Sequence, residues 1–394
     1  MRRVSAPRCD GKGRGQTAVI LCEHGPGGVA ALFAGAVQVV QAERLDEVAP
    51  ALAALDAARS QGRWVAGWIG YEAGLAFEPR LAALVKPAPG PLLAFGIFDG
   101  PQAAGPLLAE AASGAAAVRL DLAEPVVSRP AYEAAFDRVQ AYITAGDCYQ
   151  INLTFPLRTR LRAGTPLGLY GALRRRQAVG YGAYADLGGP VVISRSPELF
   201  LRLDAGGRIE ARPMKGTAPR DPDPVRDAEL ASELRASGKA QAENLMIVDL
   251  LRNDIARIAR MGSVRVPELY AVDSFATLHQ MSSRVVGQLA QPASLGGIMA
   301  ALFPCGSITG APKIRAIEII AEVEDAARGV YCGAIGWMAP DGAACFSVAI
   351  RTLSVRGTEI TLNVGGGVVH DSTAQGEWEE ALWKARYITG LTRD

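Results

Sequence analysis

Residues 333–388 carry GAIGWMAP (333–340), AACFSVAIRTLSVR (343–356), EITLNV (359–364), GGG (365–367) and, after a polar connection, QGEWEEALWKARYI (375–388). The first three stretches are short and apolar, rich in strand-favouring residues, and follow one another as hairpin-like runs. The last spaces its apolar positions for a helix. Strands in a group, closed by a helix, predict an α+β fold with mixed or antiparallel sheets rather than a doubly wound parallel one.

The same grammar extends upstream. SRPAYEAAFDRVQAYITAGD (128–147) predicts a helix with Ser128 at the N-cap, Pro130 in the first turn and Gly146 at the end. YQINLTFPLRTRL (149–161) alternates like a strand, and PVVISRSPELFLRL (190–203) with GRIEARPM (207–214) reads as a strand pair. A charged helical stretch starts at Asp223-Pro224. After Gly238, a long helix is predicted through KAQAENLMIVDLLRNDIARIAR (239–260). GWIGYEAGLAFEP (67–79) predicts a strand running into a turn. DGPQAAGPLLAEAASGAAA (99–117), rich in Ala, Gly and Pro, predicts a mobile connection. The expected division is an N-terminal portion, 1–120, packing on a main catalytic domain, 121–394.

Composition narrows the function. The net charge of +1 offers no field for nucleic acid or an anionic membrane. The basic N-terminus has no apolar segment behind it, and no run reaches the roughly 18 apolar residues of a membrane helix, so a cytoplasmic protein is expected. Six cysteines without a C-x-x-C pair predict free buried thiols. Only three histidines occur, which disfavours a His-rich zinc site. Any metal chemistry would use carboxylates, which suit a hard cation such as Mg²⁺.

Two features could carry such chemistry. Glu377, Glu380 and Lys384 share one helix face at i, i+3, i+7, beside the apolar stripe; they read either as a solvated face or as a cleft wall. Glu243, near the start of the long helix, is either a dipole partner or a second carboxylate contribution. The glycine run 365–367 is either a tight turn or a nest of backbone N–H groups for an anion. No phosphate-binding G-x-x-x-x-G-K-[ST] or G-x-G-x-x-G pattern accompanies it.

Taken together, SPELFLR (196–202), RPMKGTAPR (212–220), AENLMIVDLLRNDIARI (242–258), FPCGSITGAPKIRAIEII (303–320), VYCGAIGW (330–337), FSVAIRTL (346–353) and GGGVVHDS (365–372) leading into EWEEALWKA (377–385) resemble the chorismate-utilising enzymes. Anthranilate, aminodeoxychorismate, isochorismate and salicylate synthases belong to that family. The resemblance covers nearly all of 128–392. It implies an anthranilate-synthase-like α+β fold with two large, orthogonally packed antiparallel sheets flanked by helices. It also implies Mg²⁺, with Glu243 and Glu380 as ligands and Glu377 close by. Arg351, Tyr331, Gly366 and Gly367 resemble the clamp for the enolpyruvyl carboxylate, with Lys384 adding positive charge. His279 matches a histidine near the substrate ring, and Ser307 and Thr309 a hydroxyl-bearing substrate loop.

Within the family, Gln150 stands where the water-using members carry a lysine base, which implies an ammonia-using enzyme. Lys215 resembles the lysine of aminodeoxychorismate synthases that is proposed to attack C2 of chorismate, so that nitrogen ends at C4. Glu198 resembles the general acid for the departing hydroxyl. The alternative is amination at C2, as in anthranilate synthase component I. A non-catalytic chorismate-binding subunit is a third reading, disfavoured by the joint presence of Glu198, Lys215, Glu243 and Glu380. The N-terminal part lacks an LLES-like motif, so a tryptophan site is not expected. Neither a glutaminase nor a lyase segment is recognisable. Ammonia is therefore expected from a separate glutamine amidotransferase subunit.

Overall fold

The computed structural model describes residues 18–275 and 278–391. Cys9 and the basic N-terminal stretch lie outside the described residues. Among those described, the strands form two large sheets of 11 and 10 strands, paired antiparallel. This is the expected α+β architecture.

The larger sheet runs, by neighbours, 310–311, 150–163, 359–368, 352–356, 191–196, 181–186, 19–22, 31–34 and 102–103. The smaller runs 214–219, 278–288, 208–212, 199–203, 344–348, 334–338, 64–69, 93–98 and 38–42, with 265–274 beside 278–288. Strands from the first 120 residues enter both sheets, so this portion builds no separate layer.

Period-two alternation sorts side chains between two cores. Ile20, Phe33, Ala66, Trp68, Ala94 and Ile335 belong to one cluster, drawn from both sheets. Leu21, Val65, Ile69, Leu93 and Phe95 turn to the other, with the helix Leu45–Ser60. Cys22, Cys148, Cys305, Cys332 and Cys345 are free and buried. No helix among the described residues is long and apolar enough to cross a membrane.

Local signals hold at the helix starts. Ser128 accepts from the Ala131 N–H and caps Arg129–Thr144; Gly146 follows at φ +81°. Ser237 caps Gly238–Ala256 in the same way, directly after the helix Pro224–Ala236.

Three expectations differ from the structure. Residues 99–117 are not a mobile loop: Gly105–Gly114 is a helix, packed on Pro166–Arg176. Alanine favours helix, and the approach is close enough that a Cβ on Gly171 would stand 2.0 Å from the Ala111 carbonyl oxygen. The glycine run 365–367 is no turn. It continues the strand Glu359–Val368, opposite Asn152, Leu153 and Thr154.

The third difference positions the site. PVVISRSPELFLRL is not one strand: Val191–Ser196 belongs to the larger sheet and Leu199–Leu203 to the smaller. AACFSVAIRTLSVR divides likewise into Ala344–Val348 and Thr352–Arg356. The two crossings lie side by side. Arg195 N donates to Arg351 O at 3.0 Å, and Val348 N to Glu198 O at 3.1 Å. Glu198 and Arg351 thus occupy the seam between the sheets.

Candidate active site

A cavity of about 280 Å³ opens at this seam. Each wall has a local cause. Lys215 sits on the strand Met214–Pro219, which pairs with Leu278–Gln288. Met214 opposes Ser282 and Thr217 opposes Gln280, so one extra residue bulges out at Lys215-Gly216. Gly216 takes φ +81°, which only glycine adopts readily, and a Cβ there would meet the Ala240 Cβ at 2.8 Å. Gln280 holds the bulge, its Nε2 donating to Gly216 O at 2.6 Å.

Opposite stands the helix Ala374–Lys384 with Glu377, Glu380 and Lys384. Glu243 comes from Gly238–Ala256. The glycine strand lines the cavity between them. A Cβ on Gly366 would lie 2.5 Å from Glu377 Oε2, and one on Gly367 3.0 Å from Lys215 Nζ. The glycines therefore give room to charged side chains; they form a strand, not an anion nest.

The electrostatics divide the carboxylates. Burial pushes Glu198 up to about 7, against a Ser307 hydroxyl hydrogen bond at 2.7 Å and the Lys215 charge. Burial lowers Lys215; Lys384 adds to this, while Glu243, Glu198 and Glu380 oppose it. Burial raises Glu377, with the Glu380 charge acting in the same sense, against a hydrogen bond from Ser372 at 2.7 Å. For Glu380 burial is outweighed by Lys384, 2.8 Å away, so it stays low. Lys384 also donates to Gly365 O at 2.8 Å.

Of the residues singled out from sequence, Lys215, Glu198, Ser307, Tyr331, Arg351, Gly366, Gly367, Lys384, Glu243, Glu377 and Glu380 line this one cavity. Three do not. Gln150 lies just behind the glycines, its Cδ 3.0 Å from where a Gly367 Cβ would sit. It is fully buried, and neither amide atom has a partner among the described residues. Thr309 turns its hydroxyl back to Cys305 O and Gly306 O, at 3.1 and 3.2 Å. His279 bonds Asp227 and Ser274, at 2.9 and 2.8 Å. Its strand neighbour Gln280 lines the cavity, so alternation points His279 away.

Asn152, Lys239, Gln280, Asn363, Ser372 and Tyr387 also line the cavity without having been singled out. Two of them had a legible signal. Lys239 precedes Glu243 by one helical turn, and Tyr387 follows Lys384 by three residues.

The three glutamates supply oxygen ligands only, the donor type a hard divalent ion takes. Among the described residues, no three His, Cys, Asp or Glu side chains converge into a ready-made metal cage. The set fits an ion held by few protein ligands, with substrate and water completing its shell.

A two-sheet α+β frame with carboxylates and cations facing one another at the seam defines a polar enzyme pocket. The chain belongs to the chorismate binding enzyme family, whose pattern matches residues 17–390. It is 41% identical over 262 residues to aminodeoxychorismate synthase component 1 of Escherichia coli (strain K12), covering 66% of this chain and 57% of that one. It is 42% identical over 257 residues to anthranilate synthase component 1 of Streptomyces coelicolor, covering 65% and 50%. The matched stretch thus spans only about half the length of these relatives. The fold matches anthranilate synthase component I from Streptococcus pneumoniae with a TM-score of 0.73, at 23% identity, over 98% of this chain and 93% of that one.

Proposed function

We propose that the protein aminates chorismate at C4, giving 4-amino-4-deoxychorismate. The observation that carries this reading is the pairing of Lys215 and Glu198 in one cavity. Burial disfavours the ammonium on the first and the carboxylate on the second. A neutral amine is a nucleophile, and a carboxyl with a pKa of about 7 is a competent acid at neutral pH.

The Lys215 amine attacks C2 of the ring, both ring double bonds shift toward C4, and the C4–O bond breaks. The hydroxyl leaves as water with the Glu198 proton. Ammonia then forms a bond to C4, both double bonds return, the C2–N bond to Lys215 breaks with the lysine leaving as an amine, and the proton shed at the C4 nitrogen restores the Glu198 carboxyl. Glu243, Glu380 and Glu377 would hold Mg²⁺, which supplies Lewis-acid stabilisation of the ring carboxylate. Arg351 and Tyr331 receive the second carboxylate. Gln150, neutral and behind the floor, offers no base to activate water. Ammonia comes from a separate glutamine amidotransferase, consistent with the "component 1" in the relatives' names.

The second reading is amination at C2, because relatives named anthranilate synthase component 1 match at the same identity. Incubation with chorismate, Mg²⁺ and ammonium separates the two. A product converted to p-aminobenzoate only on adding a lyase supports C4. Blue-fluorescent anthranilate formed without lyase refutes it.

A further inference from the structure

Tyr387 lies on the short helix Arg386–Thr389, just beyond the helix that carries the glutamates, and its side chain lines the cavity. Its hydroxyl is shut off from solvent and has no hydrogen-bond partner among the described residues. A buried O–H without an acceptor bears its full desolvation cost, so such groups are uncommon unless something else supplies the acceptor.

Arg351, which lines the same cavity, has the matching deficit. Among the described residues, the one ionisable side chain acting on the Arg351 charge is Tyr387, and no carboxylate pairs with that guanidinium. Arg351 is held at the sheet-to-sheet crossing with φ +50°, a backbone region that arginine rarely visits. Burial also raises the Tyr387 phenol far above neutrality, so it remains a donor. An arginine fork presents donors only, a phenol hydroxyl has one donor to give, and a carboxylate presents acceptors only. The acidic side chains Glu243, Glu377 and Glu380 line the same cavity but make no ion pair with Arg351.

We propose that the Tyr387 hydroxyl is a second donor to the carboxylate bound by Arg351, and that this pair makes the cavity prefer ligands with two carboxylates. The inference rests on the proposed chorismate site for the identity of the natural ligand, but it can be tested apart from that reading.

Two benzoates serve as probes: 3-(1-carboxyethoxy)benzoate, with two carboxylates, and 3-methoxybenzoate, with one. Their dissociation constants are measured by calorimetry with Mg²⁺ on the wild type and on Tyr387→Phe, which keeps the ring and removes only the hydroxyl. The variant should bind the dicarboxylate about tenfold more weakly, the size expected of one hydrogen bond to a charged group, and the monocarboxylate equally well. Its melting temperature should not fall. Equal affinity of both proteins for the dicarboxylate overturns the proposal. So does equal weakening toward both probes, or a wild type that binds the dicarboxylate no better than the monocarboxylate. Chorismate turnover by the wild type is measured alongside. Its absence would remove the proposed function, while the two probes would still decide the role of Tyr387. If turnover is present, KM for chorismate should rise about tenfold in the variant with kcat changed less than about twofold.

Discussion

The Ser307 hydroxyl donates to Oε1 of Glu198 at 2.7 Å, across the seam between the two sheets. That bond favours the ionised carboxylate and restrains a carboxyl that burial has already raised to about 7. Removing it in Ser307→Ala should raise the Glu198 pKa further. If Glu198 acts as the acid, activity falls as pH rises through its pKa, so the alkaline limb of the kcat/KM profile should move to higher pH. A limb that stays in place would separate Glu198 from the protonation step.

The same carboxyl should mark stability. Its folded pKa lies above the ordinary 4.5, so the folded state binds more protons than the unfolded chain between about 4.5 and 7. Wild-type stability therefore declines through that window as pH rises. Glu198→Gln removes the titration. It should be more stable than wild type at pH 8 by roughly 2–4 kcal/mol, with the gap closing by pH 5. Activity should drop by about 10²-fold or more. Urea titrations at the two pH values check the sign.

Lys215→Ala should lower C4 amination by at least about 10³-fold, as loss of a covalent nucleophile does, while chorismate binding stays within a few-fold of wild type. Single-turnover product formation and calorimetry measure the two quantities. Unchanged turnover would eliminate the covalent step.

Glu380→Gln should raise the Mg²⁺ concentration for half-maximal activity by at least about tenfold, the scale on which ligand-shell changes act. It also releases Lys384 from its 2.8 Å ion pair. Magnesium titrations of this variant and of Glu243→Gln should show the same direction. Wild-type magnesium dependence in both would move the ion elsewhere.

The glycine strand should separate stability from activity. A Cβ on Gly365 would meet the Leu153 carbonyl oxygen at 2.2 Å, which is neighbouring backbone, so Gly365→Ala should cost about 1–3 kcal/mol of stability. On Gly367 it would meet the ends of Gln150 and Lys215 at 3.0 Å. Gly367→Ala should therefore keep most of its stability and lose activity. Thermal melts and amination assays on the two variants test the contrast.

Strand and helix types were readable where a local cause acts. Ser128 was readable as the cap of its helix because the cap is a contact three residues long. The division of PVVISRSPELFLRL between two sheets was not readable, since both halves favour strand and the change lies in their distant partners. Likewise the 365–367 glycines suggest a turn until 152–154 pairs with them. The Ala-rich segment 99–117 suggests a loop until helix Pro166–Arg176 provides a surface to dock on.

The chain order alone determined the family pattern, the Ser128-capped helix start, the acidic face of the last helix and the candidates Glu198, Lys215, Glu243 and Glu380. Tertiary structure decided that these four share a cavity, that His279 and Thr309 turn away from it, and that Tyr387 lines it together with Arg351, its hydroxyl without a partner among the described residues. Propensity and capping act over a few residues, whereas cavities, burial and pKa shifts arise from contacts between distant segments, such as Arg59 with Ala339 at a separation of 280 and Trp337 with His24 at a separation of 313.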